Sequence, residues 1–328
     1  MSERINIAAM AETVSNDMFG KIGWSIVGPP NESWVCSEPA LHEVKDHPTD
    51  VTFVYDDPYT RRTVHLLTDL KSYAAGSIQD YPLKNAIESL ASAVQCAKTN
   101  PSWKELYLQE GNEPEIQGLL FIYNHDSEYD KNFAAQLKRI FEQDMVIPNG
   151  VKLYIMGPDD IWYLGEILND IANLSRNEEI NQDKNALSFY YHSDSRERIA
   201  SNQKGSLATI DVLKGKYQIL RYVGSGKKGG EKDQGVLIYY RGPCKESKEF
   251  ILLIDMLRSF GLLDIADVIK IRCPRAESKA SVNFQKAIKV YSDHPGDRIL
   301  EKLKKIEYSS IASVRPNLTR FEVAMKGL

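Results

Sequence analysis

Residues 47–71 read HPTDVTFVYDDPYTRRTVHLLTDLK and contain two apolar runs separated by a polar turn. Asp50 opens the first run, and Asp69 and Lys71 close the second. Because successive side chains on a strand point to opposite faces, Asp69 and Lys71 project together while Leu70 points away. If the two runs pair as an antiparallel hairpin, Asp50 lies at the strand end that carries Asp69.

This grouping predicts a metal-dependent hydrolytic site. Two carboxylates provide the oxygen ligands that Mg²⁺ prefers, and the ion keeps several water molecules. A bound ion polarises a phosphoryl oxygen and lowers the pKa of its water, while a neighbouring Lys orients or activates that water. Asp50, Asp69 and Lys71 therefore indicate phosphodiester hydrolysis. The alternative is an ordinary surface hairpin in which an Asp and a Lys form a screened ion pair.

The flanking sequence predicts an α/β domain with a mixed central sheet, because strand-like apolar runs alternate with helical apolar periodicity. The second half alternates in a similar way and predicts an α+β domain. In the first half the predicted elements are a helix at 3–19, a strand from Trp24, the hairpin, helices at 82–98, 133–142 and 161–174, and strands at 116–123 and 151–156. In the second half they are strands at 206–212, 216–223, 235–241, 267–273, 285–291 and 319–325, and helices at 249–259 and 297–306.

The motif resembles that of the PD-(D/E)XK nuclease superfamily, which includes restriction endonucleases, Holliday-junction resolvases and many anti-phage effectors. Pro48-Thr49-Asp50 corresponds to the "PD" with one residue inserted, and Asp69-Leu70-Lys71 corresponds to "(D/E)XK". A helix with an acidic residue and a strand starting at Gly23-Trp24 precede the hairpin in the family's order. The resemblance covers about residues 1–125 and implies a restriction-endonuclease-like mixed central sheet flanked by helices.

The resemblance implies a role for each residue of the hairpin motif. Asp50 and Asp69 would ligate one Mg²⁺ ion, for which Mn²⁺ can substitute, and the carbonyl oxygen of Leu70 would complete the protein ligands. Lys71 would orient or deprotonate the attacking water and stabilise the phosphorane.

Residues outside the hairpin extend the predicted site. Glu12, on the first helix, resembles the acid that some members use as a further metal ligand. Gln95, on the helix after the motif, occupies a place where members often carry a polar residue facing the site. Four small or hydroxyl-bearing residues after Lys71 are predicted to contact the scissile phosphate, with a simple turn into the next helix as the alternative: Ser72, Tyr73, Gly76 and Ser77.

Charge is unevenly distributed along the chain of 328 residues, whose net charge is −4. Residues 184–328 contain 27 Lys and Arg against 16 Asp and Glu, whereas residues 1–183 contain 14 against 29. A basic half joined to an acidic half suggests a polyanion-binding module, although charge drift between domains is an alternative. A polar linker is predicted at 175–187. We therefore predict a nuclease-like domain at 1–178 and a basic α+β domain at 185–328 that binds nucleic acid or a partner.

Six basic residues are candidates for contacting a DNA backbone. Two lysines lie in the glycine-rich stretch 224–230, which does not match the G-x-x-x-x-G-K-[ST] pattern of a nucleotide-hydrolysing loop. Two more basic residues alternate with apolar residues on a predicted strand, and two arginines lie in the predicted hairpin turn, near the proposed site. Each group also fits an ordinary solvated surface. The six residues are Arg61, Arg62, Lys227, Lys228, Lys270 and Arg272.

The cysteines and histidines give no local metal-binding motif. The four cysteines are scattered and form no CxxC pair, which predicts free thiols in a reducing compartment rather than a zinc site or disulfides. His42 and His47 lie in an acidic stretch that is a candidate for binding a transition metal. A solvated loop over the hydrolytic site is the favoured interpretation of that stretch.

Together these features predict a cytoplasmic, Mg²⁺-dependent endonuclease that cleaves DNA, and the resemblance implies a role in defence against phage or plasmid DNA. No apolar run of 18 residues is present, and the start lacks the pattern of a secretory signal, so no membrane association is expected. Because the acidic half would repel DNA, we expect a homo-oligomer or a complex with a second defence subunit. The alternatives are a catalytically inactive nuclease fold that binds DNA or a partner protein within a defence complex, and an RNase on the same fold.

Overall fold

The protein is described from a computed structural model. The structure describes residues 2–108, 114–183, 186–192, 207–226, 233–292 and 299–311, with only the backbone for 2–10. These residues form two compact units that divide between Trp162 and Tyr163, and we call them the N-terminal and the C-terminal unit. In the described part of the chain, each unit has its own five-stranded sheet.

The N-terminal unit alternates helices and strands. Its elements are α1 (Ser2–Lys21), β1 (Ser25–Val27), β2 (Glu32–Val35), α2 (Pro39–His42), β3 (Asp46–Thr49), β4 (Val51–Asp56), β5 (Thr63–Tyr73), α3 (Asp80–Ala97), α4 (Pro101–Tyr107), β6 (Glu115–Asn124), α5 (Phe133–Phe141), β7 (Leu153–Met156) and the first residues of α6 (Pro158–Arg176). The sheet order is β1-β4-β5-β6-β7. Strands β1, β4 and β5 are antiparallel neighbours, whereas β5, β6 and β7 are parallel, which confirms the predicted mixed central sheet flanked by helices.

Helices cover both faces of this sheet. Phe19 of α1 packs against Phe53 and Phe121 on one face, with ring centroids 4.9 and 5.6 Å away. The other face packs against the apolar side of α3 through strand residues such as Leu67 and Leu120. Because side chains alternate along a strand, this two-sided packing determines which face of β5 each residue of the motif occupies.

An additional hairpin precedes the motif. Strands β2 and β3 pair antiparallel, with Trp34 opposite His47, and the indole N–H of Trp34 donates to the Thr49 hydroxyl over 2.9 Å. The amide N–H of Asn31 donates to the Asp50 carbonyl over 2.8 Å. His47 is only 2% exposed, so the interpretation as part of a solvated loop is wrong for this residue, whereas Glu43, Lys45 and Asp46 of the same stretch are exposed.

The C-terminal unit comprises the rest of α6 followed by a second sheet region. Its elements are β8 (Leu187–Phe189), α7 (Ile210–Lys214), β9 (Tyr217–Val223), β10 (Gln234–Tyr240), α8 (Ser247–Ser259), α9 (Leu262–Ile265), β11 (Val268–Cys273), α10 (Ala280–Ser292), α11 (Ile299–Leu303) and β12 (Ile306–Ser310). The sheet order is β12-β11-β10-β9-β8. Strands β10, β11 and β12 are parallel, whereas β8, β9 and β10 are antiparallel.

Two predicted strands of this unit are wrong. Residues 285–291 belong to α10, because Ala280, Phe284 and Ala287 recur at helical spacing and are buried in one core. Residues 210–212 lie in α7, where the Thr209 hydroxyl accepts from the Val212 N–H over 3.3 Å. The predicted strand at 319–325 lies outside the described residues.

The division between the units falls inside α6, before the linker predicted at 175–187. The C-terminal part of α6 packs on the second sheet, where Ile167 and Leu174 share a core with Leu220. The hydroxyl of Tyr163 donates to Gln218 over 2.7 Å. Among the described residues, no helix combines the length and apolar character that crossing a membrane requires.

Phe121 tests the packing of the N-terminal sheet. It is fully buried, so Phe121→Ala should destabilise the unit by about 3–5 kcal/mol. All four tryptophans, at 24, 34, 103 and 162, lie in the N-terminal unit, so tryptophan fluorescence during urea unfolding follows this unit alone. The matched control is Phe141→Ala, at a position 47% exposed, which should change stability by less than about 1 kcal/mol. Equal losses in both variants would contradict this packing.

Candidate active site

The β4–β5 hairpin brings the predicted motif together. Val51 pairs with Thr68, so Asp50, just before β4, lies beside Asp69 at the same end of the hairpin. The amide N–H of Leu70 donates to Oδ2 of Asp50 over 2.7 Å. The ammonium of Lys71 forms a hydrogen-bonded ion pair with the Asp69 carboxylate. The two carboxylates and the ammonium therefore form one cluster, which we call the acidic trio (Asp50, Asp69 and Lys71).

The position of the trio follows from the course of β5. Residues 64–68 are buried in the middle of the sheet, and residues 69–73 are half-buried. Strand β4 begins at Val51, so the backbone edge of β5 beyond Thr68 extends past its antiparallel partner. Asp69 and Lys71 continue the α3-facing side that contains Leu67. The strand thus carries the charged side chains out of the core just where its neighbour ends.

The electrostatics of the trio suit a cation. The pKa of Asp50 is raised to about 6, chiefly by burial and also by the nearby Asp69 carboxylate, while the Leu70 N–H and Lys71 oppose the rise. Burial lowers the pKa of Lys71, but the charges of Asp69 and Asp50 outweigh this and raise it above its ordinary value. Lys71 is therefore an ammonium at neutral pH, able to donate hydrogen bonds but not to accept a proton.

The donor chemistry of the trio fits a hard divalent ion. Two carboxylates lie together with one ammonium. The repulsion between the carboxylates of Asp50 and Asp69 contributes to the raised pKa of Asp50, and a cation bound between them would attract both. In a strand, the carbonyl of a residue points to the same edge as its N–H, so the Leu70 carbonyl lies on the side of Asp50. This oxygen-only set matches the ligands of Mg²⁺ or Mn²⁺.

Two other members of the predicted catalytic set lie elsewhere. Glu12 is on α1, which packs on the face of the sheet opposite to the side chains of Asp69 and Lys71. Gln95 is on α3, where its Oε1 lies 3.3 Å from Nε2 of His42. The structure thus groups neither residue with the trio.

Tyr73, rather than Ser72, continues the face of β5 that carries Asp69 and Lys71. Ser72 points to the opposite face of β5 from Lys71, and its hydroxyl lies 3.2 Å from Nδ1 of His125. Tyr73 lies two residues after Lys71, and burial raises its pKa while the Lys71 ammonium opposes the rise. The alternation that pairs Asp69 with Lys71 also identifies Tyr73, because these residues are spaced by two.

The arginines of the hairpin turn are far from the trio. Arg61 and Arg62 follow Asp56, which pairs with Thr63 at the far end of the hairpin. Six strand positions separate Thr63 from Asp69, a distance of about 20 Å. The prediction that these arginines lie near the site is therefore wrong.

The basic residues proposed on the second domain have internal partners where they are described. Lys270 forms ion pairs with Glu307 and Glu179, at 2.8 and 3.1 Å. Arg272 binds the nearly buried Asp170, with its Nε 3.0 Å from Oδ2. The two residues share a strand face as predicted, but that face binds carboxylates of the same chain. Lys227 and Lys228 lie outside the described residues.

A lysine and two carboxylates at the end of a hairpin, in a mixed sheet preceded by a helix, define a nuclease domain of the PD-(D/E)XK type. Residues 1–160 match the model of one such family, the GAPS4 protein PD-(D/E)XK nuclease domain. These residues are therefore similar to that family, and the resemblance to the superfamily is confirmed over a longer stretch than the predicted 1–125. No curated protein matches the chain.

The raised pKa of Asp50 predicts a pH dependence of stability in metal-free buffer. Because unfolded Asp ionises near 3.9, the contribution of Asp50 to stability should fall as pH rises from about 4 through about 6. Asp50→Asn removes this titration, so the variant should be more stable than wild type at pH 8, by on the order of 2 kcal/mol, and similar at pH 4. Urea unfolding in EDTA, followed by tryptophan fluorescence, measures the difference.

The control for this experiment is Asp130→Asn, at an exposed position. Its effect should be the same at both pH values. A stability difference between Asp50→Asn and wild type that does not change with pH would contradict the burial of Asp50.

The ion pair of Arg272 predicts a structural role for this residue. Arg272→Met leaves the Asp170 carboxylate without its cation and should destabilise the C-terminal unit by about 3 kcal/mol. The control Lys245→Met, in an exposed ion pair with Glu277, should cost less than about 1 kcal/mol. Thermal unfolding followed by circular dichroism compares the two. A fully stable Arg272→Met variant with weaker DNA binding would instead support the predicted DNA contact.

Proposed function

We propose that the chain is a Mg²⁺-dependent deoxyribonuclease that acts in defence against phage or plasmid DNA. The convergence of Asp50, Asp69 and Lys71 supports this function, because it places the ligands and the ammonium of the chemistry in one cluster. The match of residues 1–160 to a GAPS4 protein nuclease domain supports the nuclease assignment.

In this mechanism the chain supplies ligands and a positioned ammonium. Asp50, Asp69 and the Leu70 carbonyl would hold the divalent ion. When bound, the ion would polarise a phosphoryl oxygen and lower the pKa of a coordinated water. The Lys71 ammonium, which pairs with Asp69 in this structure, would turn toward the substrate. There it donates hydrogen bonds to the attacking water and to the phosphate oxygens as negative charge develops.

The choice of ion and of substrate rests on chemistry and charge. An oxygen-only set with few protein ligands suits Mg²⁺, which keeps several waters, and Mn²⁺ should substitute. The acidic character of residues 1–183 disfavours unaided DNA binding. We therefore propose that the basic residues 184–328, a second copy or a second defence subunit bring DNA to the trio in the cytoplasm.

A cleavage assay tests the proposed reaction. The full chain should cut linear or circular DNA with Mg²⁺ or Mn²⁺ and not with EDTA. Asp69→Asn removes a ligand charge, and Lys71→Met removes the ammonium, so each should lower the rate by at least about 100-fold. The control Lys21→Met removes the same charge from an exposed ion pair with Asp17 and should cut like wild type.

The other outcomes decide between the alternatives. Cleavage that survives Lys71→Met would overturn the mechanism. Salt-sensitive DNA binding without cleavage would favour the inactive binding module. Cleavage of RNA but not of DNA would establish an RNase on the same fold.

A further inference from the structure

Four metal-ligating side chains from separate elements converge beside the β2–β3 hairpin. Cys36 directly follows β2, His42 lies in α2, His47 lies in β3, and Cys96 lies in α3. One ligand atom from each of the four lies within 4.8 Å of all the others. We call this group the Cys/His cluster (Cys36, His42, His47 and Cys96).

The spacing of the cluster is that of a tetrahedral metal site. With Zn–S bonds of about 2.3 Å and Zn–N bonds of about 2.0–2.1 Å, tetrahedral ligands lie about 3.8 Å apart for two sulfurs and about 3.5 Å apart for sulfur and nitrogen. The Sγ atoms of Cys36 and Cys96 are 3.9 Å apart. The Cys36 Sγ atom lies 3.2 Å from Nδ1 of His42. These two distances match tetrahedral spacing, and the limit of 4.8 Å leaves the other pairs within reach of one ion after small side-chain adjustments.

The surroundings support ligands in their metal-binding forms. Backbone N–H groups of Ser37 and Glu38 point at the sulfurs of Cys96 and Cys36, each over 3.4 Å. Burial raises the pKa of the Cys36 thiol, and the Glu38 N–H opposes that rise, because such donors favour the thiolate form in which cysteine binds metal. Nε2 of His42 lies 3.3 Å from the side-chain amide oxygen, Oε1, of Gln95. A partner of this kind orients a histidine that binds metal through its other nitrogen. This contact with His42 explains why Gln95 lies away from the acidic trio.

His47 gives an independent indication of a ligand. Its ring is 2% exposed, and its Nε2 has no hydrogen-bond partner among the described residues. The ring is held against Trp34, with centroids 4.8 Å apart. Burying a polar nitrogen without a partner is unfavourable, so a bound cation accounts for this geometry better than an empty pair of thiols does.

We propose that Cys36, His42, His47 and Cys96 bind one structural Zn²⁺ ion. Two sulfurs and two imidazole nitrogens form a ligand set that selects zinc over Mg²⁺ or Ca²⁺. Four protein ligands close the coordination shell, so the ion does not activate a water. This site differs from the oxygen-only trio in both chemistry and residues.

The ion has a positioning role for the trio. It crosslinks the β2–β3 hairpin to α3, and β3 runs directly into Asp50 three residues after His47. Because zinc binding adds folding free energy to the segment that it joins, the ion would stabilise the β2–β3 hairpin that leads into Asp50. The inference does not depend on nuclease activity, because it is measured by metal content.

Metal analysis of the purified full chain tests the site. Wild type, purified without chelators, should contain one zinc per chain by plasma mass spectrometry. The cobalt-substituted protein should show the visible absorption of tetrahedral Co²⁺ with thiolate ligands. Cys96→Ser and His42→Ala should each lower the zinc content at least about 10-fold. The control Cys244→Ser, at a buried thiol of the C-terminal unit, should retain one zinc.

Removal of zinc from the wild type covers the case in which a variant fails to fold. A chelator should release one equivalent and lower the unfolding midpoint reported by tryptophan fluorescence, and added Zn²⁺ should restore it. Four free thiols without zinc, or a disulfide between Cys36 and Cys96, would overturn the proposal. Zinc retained in both variants would overturn it as well.

Discussion

The register between β4 and β5 is the constraint on which the candidate site depends. Val51 opposite Thr68 places Asp50 beside Asp69, and a shift by one residue would turn Asp69 and Lys71 to the α1 face. Packing maintains this register, because Phe53 and Leu67 must reach opposite cores. The same two-sided burial leaves only the last residues of β5 free to carry charge. The fold therefore positions the trio and determines how buried it is.

The trio combines two carboxylates with one ammonium, and a divalent ion would neutralise the remaining negative charge. Burial and Asp69 raise the pKa of Asp50, while both carboxylates keep Lys71 protonated. The ammonium thus serves as a substitute partner for Asp69 before a metal binds. This arrangement favours Lys71 as an orienting and charge-stabilising group over a general base. The neighbouring Cys/His cluster, with sulfur and nitrogen ligands, attracts a different ion.

The second unit shows why basic residues in a sequence are weak indicators of a DNA surface. Lys270 and Arg272 alternate with apolar residues on β11, as a binding face would require. Their partners, however, come from α6, from the segment just after it and from β12, and Asp170 is more than a hundred positions before Arg272. The buried carboxylate needs a cation, so the arginine stabilises the fold. Only contacts between distant parts of the chain reveal this.

The sequence by itself determined the hairpin, the mixed sheet and the trio, because alternation and short spacing are local properties of a strand pair. The same alternation, followed two residues further, places Tyr73 on the face of Asp69 and Lys71. Only the tertiary structure decided that Glu12 lies across the sheet from the trio and that Cys96 joins Cys36, His42 and His47. The packing of α1 and α3 on opposite faces sets those positions, and no local pattern encodes which helix residue meets which strand.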